Sequence, residues 1–311
     1  MWSDQKTVLK DFEAESYRSM TVRKGMIRFG VFSAIIGITS MLAASSLPVS
    51  RPDSQAAAEL RELFEKAKAE SVAVVLDVQS EHTIAAVGIG RDVNAPVLPL
   101  SVIKLYVAAI WWENGLGDGD FTDPHHSRVT LHDTLVNGWD SPAAEAAVRL
   151  RRKLGTEQVL ASLRKLGLGA PPGSLTLRPD TDDSIWGNVL SIGESDMTVT
   201  LEQVAQFLGA IGRRSDDTGQ RLRTAMLDAV TRGSAARVAP RLAGIDWQLG
   251  GKIGTGPASA KPNYDGWFAG LIFQQRKPRY AVCVYVPGRG RGGGVAAGIA
   301  ADLTHWFAEA E

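Results

Sequence analysis

Apolar runs near both ends of the chain predict β-strands. Residues 72–78 are almost continuously apolar, and a shorter apolar run at residues 83–87 follows the turn-forming residues 79–82. Two such runs around a polar turn are typical of a hairpin. Strand character returns at residues 247–255, 267–273 and 280–286. A polar turn joins the last two of these strands, which predicts a second hairpin.

The middle of the chain has a helical pattern instead. From about residue 98 to residue 233, apolar residues recur at spacings of three and four, between clusters of Gly and Pro. Further helices are predicted from Asp53 or Ser54 to about Ala69 and over residues 295–308. Strands from both ends with helices between them predict an α+β fold. We expect one antiparallel sheet of about five strands, flanked by the N- and C-terminal helices, with an inserted all-helical subdomain.

An uncharged and largely apolar segment at residues 29–50 differs from the rest of the chain. About 20 such residues span a bilayer as a helix, and the basic residues before it predict an N-in, C-out orientation. We therefore expect a cytoplasmic segment at residues 1–28 and a transmembrane anchor or uncleaved signal at residues 29–50. A cleaved secretory signal is the alternative. Both place the domain at residues 51–311 outside the cytoplasm, secreted if the segment is cleaved.

Composition and charge narrow the function classes. Lysine plus arginine number 34, as do aspartate plus glutamate, so no basic surface for nucleic acid is expected. The single cysteine, Cys283, lies in a predicted strand and is expected to be a core residue. His125 and His126 lack partners at metal-ligand spacing, so we expect neither a metal nor a cofactor.

Ser101 and Lys104 are the first candidate catalytic residues. Pro99 suits the start of a helix, which places Ser101 in the first turn and Lys104 three residues later on the same face. Apolar neighbours are expected to lower the pKa of Lys104, and a neutral amine activates a serine by taking its proton. Backbone N–H groups at the helix start point at a developing oxyanion. A lone S-x-x-K is also typical of a helix cap followed by a surface lysine.

Further motifs follow Ser101 in a defined order. Residues 191–205 and 226–235 come first, the second as a helix that ends in a small-residue turn, and then Lys252-Ile253-Gly254-Thr255 lies on a predicted strand. The succession resembles the penicillin-binding protein and serine β-lactamase superfamily, which shares S-x-x-K, S-x-N and K-T-G motifs. The resemblance covers roughly residues 56–308.

The resemblance implies a role for each matching residue. Ser101 would be the nucleophile and Lys104 the general base. Lys252 would bind the substrate carboxylate and help to transfer protons. Gly254 and Thr255 would contact the substrate, and the backbone N–H groups of Ser101 and Thr255 would form the oxyanion hole.

The implied activity is that of a D,D-transpeptidase or carboxypeptidase, anchored in the bacterial cytoplasmic membrane by a single pass. It would act on the D-Ala-D-Ala ends of peptidoglycan stem peptides through a serine acyl-enzyme, and β-lactam antibiotics would acylate the same serine. One alternative is a serine β-lactamase similar to class D, with a carboxylated Lys104 backed by Trp186. Another is a sensor of β-lactams or muropeptides, or a pseudoenzyme, that does not turn over its ligand.

The K-T-G motif departs from the family's pattern at its middle position, which is Ile253. Successive strand residues face opposite ways, so Ile253 is expected to point away from the face that carries Lys252 and Gly254. Thr255 is expected to supply a hydroxyl nearby.

The S-x-N motif has its best match within residues 138–144. Ser141 is the only hydroxyl there, so it is our candidate for the second catalytic serine, with Trp139 and Asp140 as candidate substrate contacts. Ser141 is equally typical of an N-cap before Pro142.

Overall fold

The protein is described here by a computed structural model, which covers residues 53–67, 70–257, 264–288 and 294–310. The predicted cytoplasmic segment at residues 1–28 and the predicted anchor at residues 29–50 lie outside the described residues. Within the described ranges no helix is long and apolar enough to cross a membrane.

A five-stranded antiparallel sheet forms the centre of the fold, as the sequence predicts. Its strand order is β2-β1-β9-β8-β7, so strands from the two ends of the chain lie side by side, and β7 is an edge strand. The strands are β1 Ser71–Asp77, β2 Thr83–Ile89, β7 Trp247–Pro257, β8 Tyr264–Gln274 and β9 Lys277–Val286.

Both faces of the sheet are covered, which explains the continuous apolar runs in its central strands. Along β1, Ala73 and Val75 belong to one core, and Val74 and Leu76 belong to the other. The terminal helices α1 (Asp53–Ala67) and α9 (Gly294–Ala310) cover the first of these faces.

Helices of the middle segment cover the opposite face. Helix α2 (Ile103–Glu113) is buried on all sides from Ile103 to Trp112. The side chain of Tyr106 on α2 stacks on Phe207 of another helix of this segment, with ring centroids 4.0 Å apart. The other helices of this segment are α3 Leu131–Asn137, α4 Asp140–Leu154, α5 Thr156–Lys165, α6 Asp183–Ile192, α7 Leu201–Arg213 and α8 Asp217–Thr231.

The inserted segment differs from the prediction in one respect, because it is not all helical. Strands β3 (Phe121–Asp123) and β4 (Ser127–Val129) form one short ribbon, and β5 (Ser174–Leu175) pairs with β6 (Met197–Thr198) in another. Strands of two or three residues are too short to show an alternating pattern, so no residue pattern predicts them.

Candidate active site

Ser101 lies in a 3₁₀ turn, Leu100–Val102, directly before α2. Leu100 has a φ of 51°, a left-handed conformation that side chains of its kind rarely adopt. Its N–H donates to the carbonyl of Gly193 at 3.2 Å, and its side chain is buried. Tertiary contacts therefore hold the backbone before Ser101 in a strained conformation, as is common at functional sites.

Two glycines allow this turn to approach its neighbours closely. A Cβ on Gly193, after α6, would lie 2.4 Å from the carbonyl oxygen of Leu100. A Cβ on Gly254, in β7, would lie 3.2 Å from Leu100 Cβ and 3.4 Å from the Ser101 backbone nitrogen. The edge strand β7 thus runs directly beside Ser101, on the face that carries Gly254.

Lys104 is one turn along the helix from Ser101 and is 1% exposed. Its Nζ lies 2.8 Å from Ser101 Oγ, 2.7 Å from Asp140 Oδ1 and 2.5 Å from the carbonyl oxygen of Ser191. Burial lowers the pKa of Lys104, against the opposing effect of the Asp140 carboxylate.

Counting donors and acceptors around Lys104 indicates what the amine can do. Asp140 Oδ1 and the Ser191 carbonyl only accept hydrogen bonds, whereas the Ser101 hydroxyl either donates or accepts. A neutral amine has two N–H groups for the two acceptors, and its lone pair then faces the hydroxyl of Ser101. The arrangement therefore suits an amine that removes the proton of Ser101.

Lys252 is the second buried lysine of the site. It is 2% exposed, and its Nζ donates to the Ile253 carbonyl at 3.0 Å. Burial, with the charge of Lys104 as a smaller cause, lowers the pKa of Lys252 to about 7. Two lysines whose pKa values are both lowered by burial can hold and pass protons, as acid–base chemistry requires.

Ser141, our candidate in the S-x-N motif, does not reach the lysines. In this segment the residue that faces Lys104 is Asp140. Asp140 contacts Lys104, and Ser141, the next residue of α4, is exposed. Neighbouring helix residues point about 100° apart around the axis, so both cannot face Lys104. Within the described part of the chain, the hydrogen-bond partners of Lys104 and Lys252 do not include Ser141.

Gly138 and Trp139 are the residues before Asp140 in the segment that best matches the S-x-N motif. Gly138 ends α3 with a φ of 79°, and a Cβ on it would lie 3.1 Å from Lys252 Nζ. Trp139 is half-buried and stacks on His126, with ring centroids 4.3 Å apart. Gly138 therefore faces Lys252 without a side chain, Asp140 contacts Lys104, and Trp139 packs on His126.

The side chain of Ile253 lies on the side of β7 that the sequence predicts, whereas the side chain of Thr255 does not. Lys252 and Gly254 are buried on the face toward Ser101, whereas Ile253 packs partly buried against the core under α1 and α9. Thr255 is two residues from Ile253 and shares its side of β7. The Thr255 side chain is therefore not placed to supply a hydroxyl on the Lys252 face.

Comparison with known protein families decides which family this site belongs to. The model described as the penicillin-binding protein transpeptidase domain matches residues 71–305, a range that includes the five-stranded sheet, Ser101, Lys104 and Lys252. The chain belongs to this family. The predicted relationship to the penicillin-binding protein superfamily is confirmed, and so is the predicted fold class.

Solved structures of transpeptidase domains share the fold at low sequence identity. The transpeptidase domain of Burkholderia pseudomallei penicillin-binding protein 3 is 18% identical, with a TM-score of 0.66 over 85% of this chain and 98% of that one. A Burkholderia ambifaria peptidoglycan glycosyltransferase is 20% identical, with a TM-score of 0.64 over 83% and 95% of the two chains. Mycobacterium tuberculosis penicillin-binding protein 3 in complex with aztreonam is 18% identical, with a TM-score of 0.63 over 83% and 77%. No curated protein sequence matches this chain.

Three further residues singled out in the sequence have defined places in the transpeptidase domain. Cys283 is buried, and burial raises the pKa of its thiol. Trp186 lies in the core, where its Nε1 donates to the Ala147 carbonyl at 3.2 Å. His126 binds Asp123 through Nδ1 at 2.6 Å.

Sequence reasoning missed three groups in the site. The Ser191 carbonyl and the Cα of Gly138 carry no recognisable side-chain signal, so only the folded backbone shows that they face the lysines. Ser234 did carry a signal, since it follows α8 in the turn Gly233-Ser234-Ala235, within a segment already similar to the family. Its hydroxyl had no assigned role.

Proposed function

We propose that this chain is a peptidoglycan D,D-transpeptidase or carboxypeptidase that works through an acyl-enzyme on Ser101. One observation carries the proposal. The buried amine of Lys104 lies 2.8 Å from Ser101 Oγ, and its other two partners among the described residues, Asp140 Oδ1 and the Ser191 carbonyl, are pure acceptors. A serine so placed is activated toward a carbonyl group, as acyl transfer requires.

The first half of the proposed reaction forms the acyl-enzyme. Ser101 Oγ attacks the carbonyl of the D-Ala-D-Ala peptide bond while Lys104 takes its proton. The backbone N–H groups of Ser101 and Thr255 bind the oxyanion, which is the role of N–H groups fixed at a helix start and a strand edge. The bond to the terminal D-alanine then breaks, and the amine leaves.

The second half of the reaction transfers the acyl group to a new acceptor. An amine of a neighbouring stem peptide gives a cross-link, and water gives a shortened peptide. The Lys252 ammonium attracts the terminal carboxylate of the substrate, so it favours an anionic peptide end beside Ser101. Because its pKa is lowered to about 7, this attraction weakens as the pH rises above neutrality.

β-Lactams are proposed as ligands of the same serine. The related Mycobacterium tuberculosis protein was solved in complex with the β-lactam aztreonam. The β-lactamase alternative lacks support from the contacts of its required residues. Trp186 Nε1 donates its hydrogen bond to the Ala147 carbonyl, so this N–H is not free to bind a carboxylated Lys104.

The test is fluorescent penicillin labelling of the full chain beside Ser101→Ala, with Ser184→Ala as a control at an exposed serine on α6. We expect label on the wild type and the control but none on Ser101→Ala. Label that persists after free probe is removed, together with release of D-alanine from a D-Ala-D-Ala peptide, supports the proposal. Rapid loss of label indicates a β-lactamase, persistent label without peptide turnover indicates a sensor, and no label on folded wild type contradicts the proposal.

We also propose that the domain lies outside the cytoplasm, at the bacterial cytoplasmic membrane. The proposal rests on the apolar residues 29–50 and on the extracytoplasmic place of peptidoglycan. Protease added to intact spheroplasts should digest the domain while a cytoplasmic marker survives. Digestion only after lysis would contradict this location.

A further inference from the structure

The hydroxyl of Ser234 is buried and lacks a hydrogen-bond partner among the residues that the structure describes. Buried hydroxyl groups are nearly always hydrogen-bonded, because an unpaired one has lost its hydrogen bonds to water without gaining others. The backbone around it is well held, since the Ser234 N–H donates to the Val136 carbonyl at 2.9 Å. A buried hydroxyl on a fixed backbone, without a partner among the described residues, is available to bind a group of the substrate.

The surroundings of Ser234 place it in the active site. A Cβ on Gly138 would lie 3.8 Å from Ser234 Oγ and 3.1 Å from Lys252 Nζ. The serine hydroxyl and the lysine amine therefore face the same space beside the glycine. Asp140, two residues after Gly138, holds Lys104 at 2.7 Å, and Lys104 in turn contacts Ser101.

We propose that Ser234 supplies the hydroxyl that delivers a proton to the leaving amine, in the space that a side chain at Gly138 would otherwise fill. The inference rests on the proposed acyl transfer at Ser101. A hydroxyl suits this task because it donates one proton while it accepts another. Gly138 has no side chain to do so, and Ser141 is exposed.

The proton balance of the step is as follows. Lys104 takes the Ser101 proton as the bond from Oγ to the carbonyl carbon forms. When the bond from carbon to nitrogen breaks, the nitrogen takes the Ser234 proton, and Ser234 takes one from the Lys252 ammonium. Lys104 then returns its extra proton to Lys252, so the net result is transfer of the Ser101 proton to the leaving amine.

The test compares two leaving groups in the full-length Ser234→Ala variant. The substrates are an N-acyl-D-Ala-D-Ala peptide, whose amine needs a proton to leave, and an N-acyl-D-alanyl thioester, whose thiol has a pKa near 8.5 and leaves as a thiolate. We expect kcat/KM for the peptide to fall by about 100-fold, the lower range for general acid catalysis. The thioester should be affected by much less.

Stability separates this role from a structural one. Replacing an unpaired hydroxyl by a hydrogen removes a desolvated polar group, so Ser234→Ala should keep or raise the melting temperature. Thr304→Val is the matched control, because it removes a buried hydroxyl from α9, where Thr304 Oγ1 donates to the Ala300 carbonyl at 2.8 Å. It should leave the ratio of peptide to thioester activity unchanged.

A second variant places a hydroxyl at residue 138, next to the position that the Ser234 hydroxyl occupied. Gly138→Ser in the Ser234→Ala background should recover part of the peptide activity, although its φ of 79° reduces stability. Equal loss on both substrates, or full peptide activity in Ser234→Ala, would overturn the proposal while leaving Ser101 chemistry intact. A wild-type protein that turns over neither substrate and takes no penicillin label would instead refute the proposed function itself.

Discussion

Lys104 Nζ lies 2.7 Å from Asp140 Oδ1, so the amine beside Ser101 is paired with a carboxylate. The pair is unequal, because the lysine side chain is 1% exposed and that of the aspartate is 61% exposed. Water screens the carboxylate, whereas the amine has lost its hydration. Burial is accordingly the larger effect and lowers the pKa of Lys104, and Asp140 opposes it.

Replacing this carboxylate should change the pH dependence of acylation. Asp140→Asn removes a negative charge that stabilises the ammonium, so the pKa of Lys104 falls further. More of the amine is then neutral at a given pH, and the acidic limb of penicillin labelling should move to lower pH. The measurement is the labelling rate from pH 5 to pH 9. Asp183→Asn, a change on α6, is the control, and an unmoved limb in Asp140→Asn would show that the carboxylate does not set this pKa.

Lys252 should reduce stability near neutral pH. Its pKa is about 7 when folded and near the ordinary 10.5 when unfolded. Between these values the unfolded chain binds more protons, so the free energy of unfolding should rise with pH. Lys252→Met should abolish substrate turnover and raise stability at pH 7 by about 1–4 kcal/mol.

Denaturant unfolding at pH 7 and pH 9 measures both effects of Lys252. The variant should lose much of the pH dependence, whereas Lys153→Met, at an exposed position of α4, should retain it. A less stable Lys252→Met protein would mean that the lysine has stabilising contacts beyond its bond to the Ile253 carbonyl.

The two sides of β7 should respond differently to substitution. Ile253→Thr removes apolar contacts with the core under α1 and α9, so we expect a loss of about 1–2 kcal/mol and little change in labelling. Gly254→Ala places a Cβ 3.2 Å from Leu100 Cβ and 3.4 Å from the Ser101 nitrogen, so labelling should fall steeply. Thermal unfolding and labelling rates separate the two cases. A large gain of labelling in Ile253→Thr would show that the side chain at residue 253 reaches the substrate.

Gly193 should be essential for the conformation of the Ser101 turn. In Gly193→Ala the new Cβ would lie 2.4 Å from the Leu100 carbonyl oxygen, so the turn must move and labelling should be lost. Gly115→Ala is a matched control, since Gly115 has a φ of 67° and no atom within 4 Å of the added Cβ. The control should cost only the strain of the backbone, about 1–2 kcal/mol, and keep its labelling. Equal labelling in both variants would contradict the role of this contact.

The arrangement of strands was predictable because local patterns carry it. Buried strands such as β1 and β9 have apolar side chains on both faces, and a polar turn marks each hairpin. The helix that carries Ser101 and Lys104 was predictable for the same reason, since a spacing of three residues places both on one helix face. The ribbons β3–β4 and β5–β6 were not, because their few residues show no period.

The S-x-N motif is the part of the site that the sequence alone does not locate. Sequence alone favours Ser141, because it is the only hydroxyl near the expected position. The structure instead turns Asp140 toward Lys104 and leaves Gly138 beside Lys252, and it brings Ser234 to that glycine from the turn after α8. A difference of one residue rotates the side chain by about 100°, which no residue pattern over this short range specifies.

The sequence by itself determined the family and the sheet, and it singled out Ser101 and Lys104 as the candidate nucleophile and base, because each depends on residue types at short and regular spacings. Tertiary structure alone decided which groups surround Lys104 and Lys252, whether each amine is buried, and which face of β7 lies against Ser101. Those properties depend on contacts between segments that lie more than 30 residues apart in the chain, such as Lys104 with Asp140, which are separated by 36 positions. Desolvation and proton affinity follow from these contacts, so they arise only when the chain is folded.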